Sequence, residues 1–344
     1  MVIAIMRQLL MSEPGSVEWV DVPEPDLQGA GEALVRPVAV ATCDLDGPIV
    51  NGETPIPGPI QLGHEAVGEV VAVGGDVQSV SVGDSVVIPF QISCGECENC
   101  SRGLTGNCLS VPARSMYGFG AIGGDWGGML SDLVRVPFAD PMLVKVPGNL
   151  DPVDIASSSD NLPDAWRTVA PHLARYPDSE VLVLGGGARS IALYAVGISR
   201  ELGARSVTYV DTDPTRLAIA SDLGADVIEG ELPTEDQYRF QVVVDAGASR
   251  ETLACACRAT RAGGHCTHVG IIYEPETPIP LFEMYSSGIN LHVGRAMARA
   301  DLPNLLALLD RGRFNPGVVT DRVVSFDDAA EALLAPHTKL VFTP

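Results

Sequence analysis

Lysine is almost missing from this chain. Lys145 and Lys339 are its only two, and no stretch forms a basic stripe. Acidic residues outnumber basic ones 44 to 22, a formal net charge of −22 at pH 7. A surface of that sign repels phosphates, so no nucleic acid is expected as a partner. The acids are scattered and form no long tail, which reads as a solvated surface. Also absent is any apolar run near the roughly 20 residues of a membrane helix. The opening "MVIAIMRQLLM" is too short to span and has neither a basic start nor a small-residue cleavage site. It reads as a first strand. With no targeting segment and no membrane partner in view, a cytoplasmic location is the expectation.

What is present suits a filled interior. The composition is 46% hydrophobic with a mean hydropathy of +0.20, unlike that of a disordered chain. A length of 344 residues exceeds what one core usually covers, so two domains are expected.

Four of the eight cysteines crowd into "CGECENCSRGLTGNC": Cys94, Cys97, Cys100 and Cys108, spaced C-x2-C-x2-C-x7-C. Thiolates at this spacing wrap a tetrahedral Zn²⁺, and four sulfurs leave no position for substrate or water. A reducing cytoplasm disfavours disulfides instead. An iron–sulfur cluster would need an electron-transfer context that the rest of the chain does not offer. The expectation is a structural zinc, a brace without chemistry of its own. Cys255, Cys257 and Cys266 lie in apolar stretches and read as core.

Cys43 differs, because "ATCDLDGP" and "LGHEAVGEVVAVG" group Cys43, Asp46, His64 and Glu65. Singly, His64 reads as a core histidine and Cys43 as a buried thiol. In order with "VGDSVV" at 82–87, the four-cysteine lobe and a nucleotide-binding segment after residue 180, they make a pattern. Over nearly its whole length the chain resembles the zinc-dependent medium-chain alcohol dehydrogenase family.

The resemblance implies a catalytic zinc on Cys43, His64 and a third ligand, for which "SSSDNLPDAW" offers Asp160. An aspartate there matches the formaldehyde-dehydrogenase-like and secondary-alcohol branches. Carboxylate oxygen is an ordinary zinc ligand, and three protein ligands leave one position open. Glu65 would neighbour the metal, and Asp46 would orient His64 through its other ring nitrogen. The alternative for Asp160 is the N-cap of the following helix.

From residue 180 strands and helices alternate. "EVLVLGGG", "SVTYVDTDP", "FQVVVDAG", "HCTHVG" and "NLHVG" read as strands of a parallel, dinucleotide-binding sheet. Asp211 closes the second strand, where a carboxylate accepts the ribose hydroxyls and repels a 2′-phosphate; NAD is expected over NADP. The alternative for Asp211 is a turn residue. The loop "GGGARSIA" carries Gly185 and Gly187, but Ser190 stands at the third glycine's spacing, and an inserted loop is expected.

Several positions depart from the family pattern. Leu45 stands where a serine or threonine passes the alcohol proton on, and Pro48 where a histidine completes that relay. Asp44 follows the zinc cysteine, and Asp164 stands where a threonine commonly touches the nicotinamide. Asp44, Asp164 or a metal-bound water are the candidates for the proton role. Phe90, Trp126 and Leu45 are the expected pocket walls.

The expected fold is α/β. A GroES-like β-rich catalytic domain covers 1–155 and a doubly wound cofactor domain covers 156–296. Residues 297–344 return to the first, with "ADLPNLLALLDRGRF" as an amphipathic helix. The expected activity is NAD-linked hydride transfer on a small alcohol or carbonyl substrate, with two zincs per chain, in a homodimer or homotetramer. The alternatives are a non-redox zinc enzyme on this fold, such as a lyase or hydrolase, and a cofactor-binding protein without catalysis.

Overall fold

The computed structural model describes residues 4–231 and 236–344. The chain forms two compact units. One comprises residues 1–163, 296–311 and 320–344; the other comprises residues 164–295 and 312–319.

The first unit is rich in β-structure. Its larger sheet runs in the order Arg322–Ser325, Leu340–Thr343, Ala33–Ala41, Glu65–Val73, Ser85–Ile88, Val144–Lys145, and Val134–Val136 also pairs with Ala33–Ala41. Strand Ile5–Glu13, which overlaps the expected first strand and runs two residues beyond it, belongs to a separate three-stranded sheet with Ser16–Pro23 and Ile60–Gln61. Apolar side chains of both sheets, among them Leu9, Met11, Val35, Val70 and Ile88, fill one core. Pro37 sits in the middle of Ala33–Ala41 at a point where the pairing slips, which spares the ladder the N–H that proline lacks.

Register matters most at one end of this sheet. Ala41 pairs with Glu65 and with Val341. Cys43 therefore lies two residues beyond one strand, His64 one residue before the next, and Lys339 just before a third. The turn Ala156–Ser159 is tied to the same place, since the Ser159 hydroxyl donates to Ala66 O at 3.0 Å and accepts from Ala66 N at 2.8 Å. Helix Ala298–Leu309 packs on this turn through buried leucines such as Leu302 and Leu305. It is the expected amphipathic helix.

Within the second unit the strands are β1 Glu180–Leu184, β2 Ser206–Asp211, β3 Asp226–Glu229, β4 Phe240–Asp245, β5 Thr260–His268 and β6 Asn290–Val293. All pair in parallel, in the order 3-2-1-4-5-6. That is the doubly wound dinucleotide-binding arrangement. The central strands are buried on both faces and read as continuous apolar runs. β3 was not among the expected strands; at the sheet edge its side chains are mostly exposed, which leaves no apolar signature. The connection from β1 to helix Arg189–Glu201 is residues 185–188 alone, so the expected inserted loop is absent. Among the described residues, no helix is long and apolar enough to cross a membrane.

Candidate metal centres and cofactor loop

The converging strand ends bring Cys43, His64, Glu65 and Asp160 together, one ligand atom of each within 4.8 Å of the others. Asp160 Oδ2 lies 3.5 Å from both Cys43 Sγ and His64 Nε2. On the far side of the ring, Asp46 Oδ1 is 3.8 Å from His64 Nδ1, while Asp46 Oδ2 accepts the Cys43 N–H at 2.7 Å. His64 is fully buried, and neither ring nitrogen has a hydrogen bond of good geometry among the described residues. Phe119 and Phe90 wall the imidazole, with ring centroids 4.9 and 5.7 Å away.

Charge here is lopsided. Asp44, Asp46, Glu65 and Asp160 are all buried, and Lys339 is the lysine that faces them. Burial pushes the Cys43 thiol well above its ordinary value, with Asp160 and Glu65 adding to it. Burial likewise lifts Glu65, against the pull of Lys339, to about 8. Burial alone would lower His64, but Asp46 and Asp160 outweigh it and raise the ring to about 9. Burial leads the first two shifts and neighbouring carboxylates the third, and in all three the excess of buried negative charge pushes the pKa up. A divalent cation on the thiolate, the imidazole and the carboxylate relieves that excess and meets the orphaned His64 nitrogen. The residues fit zinc.

Sequence reasoning missed the support behind the cluster. Lys339 is completely buried and donates to Thr42 O, to Asn161 Oδ1 at 2.7 Å and to Glu65 Oε2 at 3.2 Å. Glu65 Oε1 in turn accepts the Asn161 N–H at 3.1 Å, at the start of helix Asn161–Arg175. Asn161 Nδ2 lies 3.4 Å from Cys43 Sγ. The available signal was a lysine preceding an apolar strand in a chain with only two. Phe119 carried no signal.

In the lobe, the sulfurs of Cys94, Cys97, Cys100 and Cys108 also lie within 4.8 Å of one another, and all eight cysteines are free thiols. Cys97 Sγ and Cys108 Sγ are 3.9 Å apart. Two sulfurs on one tetrahedral zinc stand about 3.8 Å apart, given a Zn–S bond of about 2.3 Å. Backbone N–H groups of Cys97, Cys94, Leu109 and Ser110 point at the sulfurs at 3.3–3.4 Å. The Leu109 and Cys100 N–H groups hold the Cys97 thiol down at about 6, whereas burial pushes Cys100 up to about 12. A closed tetrathiolate fits this shell.

Both loop glycines of the second unit are required by close approach. A Cβ on Gly185 would overlap Asp211 Oδ2 and the Tyr209 hydroxyl, and one on Gly187 would overlap Ala248. Ser190 is fully buried in the first turn of the following helix. Asp211 is heavily engaged. Its carboxylate accepts from Arg216 Nε at 2.8 Å and Nη2 at 2.7 Å, from the Tyr209 hydroxyl at 2.6 Å, and from the N–H groups of Thr212 and Asp213. Burial opposes its charge, but Arg216 and Tyr209 hold the carboxyl below the usual range. Asp164 forms an ion pair with Arg167. Leu45 precedes the short helix Asp46–Val50, which contains Pro48, and packs on the core of the first unit. Trp126 also packs against that core.

Comparison with known proteins agrees with this architecture. Residues 29–148 match the alcohol dehydrogenase GroES-like domain, and residues 190–311 match the zinc-binding dehydrogenase domain. A "probable zinc-binding alcohol dehydrogenase" of Mycobacterium tuberculosis is 30% identical over 331 residues, 95% of this chain and 84% of that protein. The glutathione-independent formaldehyde dehydrogenase of Pseudomonas aeruginosa is 34% identical over 272 residues, 75% of this chain and 67% of that one. Among solved structures, the alcohol dehydrogenase TADH from Thermus sp. ATN1 superposes with a TM-score of 0.89 at 30% identity, covering 98% of this chain and 99% of that chain. The fold and its sites define a two-domain oxidoreductase of the zinc-binding kind. The chain belongs to the zinc-dependent medium-chain dehydrogenase family.

Proposed function

We propose that this protein transfers a hydride between NAD(H) and a small alcohol, aldehyde or ketone, with Cys43, His64 and Asp160 holding a catalytic zinc. The convergence of those three buried donors carries the reading. Bound there, zinc supplies a Lewis acid that polarises the substrate oxygen. Asp46 keeps His64 turned so that Nε2 remains available, and Lys339 and Asn161 hold Glu65 and Cys43 in place. Phe90 and Phe119 keep water off the imidazole, and Leu45 and Trp126 are the further pocket walls of this reading. Leu45 and Pro48 carry no proton, and Asp164 is engaged by Arg167, so Asp44 and water are the candidates for the substrate proton in this reading.

Cys94, Cys97, Cys100 and Cys108 hold the second, structural zinc in this reading. Free thiols throughout suit a cytoplasmic setting. In this reading Gly185, Gly187 and Ser190 would hold the pyrophosphate, Asp164 would neighbour the nicotinamide, and Asp211 would favour NAD. The Arg216 partner offsets part of Asp211's charge, so the preference is moderate.

NADH formation across a panel of alcohols and aldehydes, with zinc counted in the same preparation, tests the proposal. Zinc-dependent NADH formation supports it. A zinc-loaded protein that eliminates or hydrolyses, and reduces neither NAD nor NADP, would replace it with the non-redox reading.

A further inference from the structure

The second unit gathers three of the chain's six histidines in a group that shares no residue with either cysteine centre. His172 lies in the last turn of helix Asn161–Arg175, His265 on β5 and His292 on β6, and one ring nitrogen of each is within 4.8 Å of the others. His265 Nδ1 and His292 Nε2 are 3.0 Å apart. The His172 ring stacks on His265 with centroids 4.5 Å apart and tilts against His292 at 4.9 Å. Thr267 Oγ1 meets His172 Nε2 at 3.3 Å. His265 is 8% exposed, and its Nε2 is buried without a hydrogen-bond partner among the described residues, while Nδ1 faces His292.

We propose that His172, His265 and His292 form a third metal site, which takes a first-row divalent cation of the Zn²⁺ type and leaves a coordination position open beside the exposed His292. Two nitrogens bound to one tetrahedral zinc at about 2.0–2.1 Å lie about 3.3 Å apart, close to the His265–His292 spacing. A donor set of nitrogen alone selects zinc, copper or nickel and rejects magnesium and calcium. Two arginines oppose a cation here, but Arg167 is paired with Asp164 and Arg175 lies over the Tyr176 ring. With no anionic ligand, affinity is lower than at the thiolate centres. The ion would clamp the end of one helix to the free edge of the sheet.

Zinc per chain, counted after equilibrium dialysis of the intact protein against buffered Zn²⁺, tests the site. The wild type should hold one more zinc than His292→Ala. This readout is a difference, so it stands whatever the Cys43 and Cys94 sites hold. Co²⁺ added to protein that holds zinc only at its tighter thiolate centres, with the three-histidine site still unfilled, should give visible ligand-field bands without a thiolate charge-transfer band, and His172→Ala should abolish them. His292 is exposed, so its loss should leave the fold intact, and the oligomeric state is checked in the same samples. Equal zinc counts in wild type and His292→Ala, with no Co²⁺ spectrum, would overturn the site and leave three stacked imidazoles joined by a hydrogen bond.

Discussion

Asp160 divides two accounts of the first unit. Its carboxylate sits 3.5 Å from Cys43 Sγ and from His64 Nε2, which suits a ligand better than a helix cap. Asp160→Ala should remove about one zinc per chain and abolish turnover, while the fold survives on the lobe and the cofactor sheet. A mere cap would cost about 0.5–2 kcal/mol and leave the metal count unchanged. Metal analysis alongside a melting curve separates the two. A second prediction concerns Asp211, whose charge Arg216 grips at both oxygens. Asp211→Ala should strengthen NADP binding relative to NAD, because the repulsion of a 2′-phosphate disappears. Arg216→Gln should do the reverse by baring the carboxylate. Charged hydrogen bonds of about 1.5–3 kcal/mol imply roughly ten- to hundredfold changes in the affinity ratio. Titration of both cofactors checks the signs; movement in the same direction for the two variants would remove Asp211 from cofactor choice.

Single elements owe their placement to a few buried polar ties. Lys339 joins the ends of strands Ala33–Ala41 and Glu65–Val73 to the start of a helix, and all its partners are buried. Lys339→Met keeps the volume and removes the charge, leaving Glu65 and Asn161 with unmet polar atoms. Loss of one partner of a buried ion pair costs about 3–5 kcal/mol, so a fall of that size is expected in chemical denaturation. A variant as stable as the wild type would make the tie incidental. The lobe depends on its ion in the same way. Four sulfurs within 4.8 Å repel one another once ionised, and an ion between them relieves that repulsion. Cys100→Ser should therefore lose one zinc and lower stability or solubility, whereas any folded fraction keeps the zinc on Cys43. An unchanged melting temperature and zinc count would refute the brace.

The whole molecule presents an unfinished edge. β6 ends the sheet of the second unit, and Val293 on it is 72% exposed. Helix Leu281–Ser287, just before β6 in the chain, exposes Phe282 at 80% and Tyr285 at 83%. Apolar side chains beside an open strand edge suit a second copy of this chain, in keeping with the expected homo-oligomer. Replacing Phe282 and Tyr285 together by Glu should give a lighter species in sedimentation, with the fold intact by circular dichroism. Identical sedimentation of the two proteins would move the interface elsewhere.

Close spacing and periodicity were legible without coordinates. Cys94 to Cys108 lie within one loop, so their geometry is nearly local, and a spacing of three residues already implies a shared ion. The central strands of the second unit are apolar runs buried on both faces, and such runs declare themselves. Asp160 required more. It reaches Cys43 across 117 residues, and the Ser159 tie to Ala66 and the register of Ala41 against Glu65 help decide that the two meet. Lys339 comes from 274 residues beyond Glu65 because the strand starting at Leu340 pairs with Ala33–Ala41. Arg216 on Asp211 and the three histidines are likewise products of packing. Local sequence determines which side chains are able to hold a metal or end a strand. Long-range register and burial decide which of them face one another, because a charge seeks a partner only once folding has taken its water away.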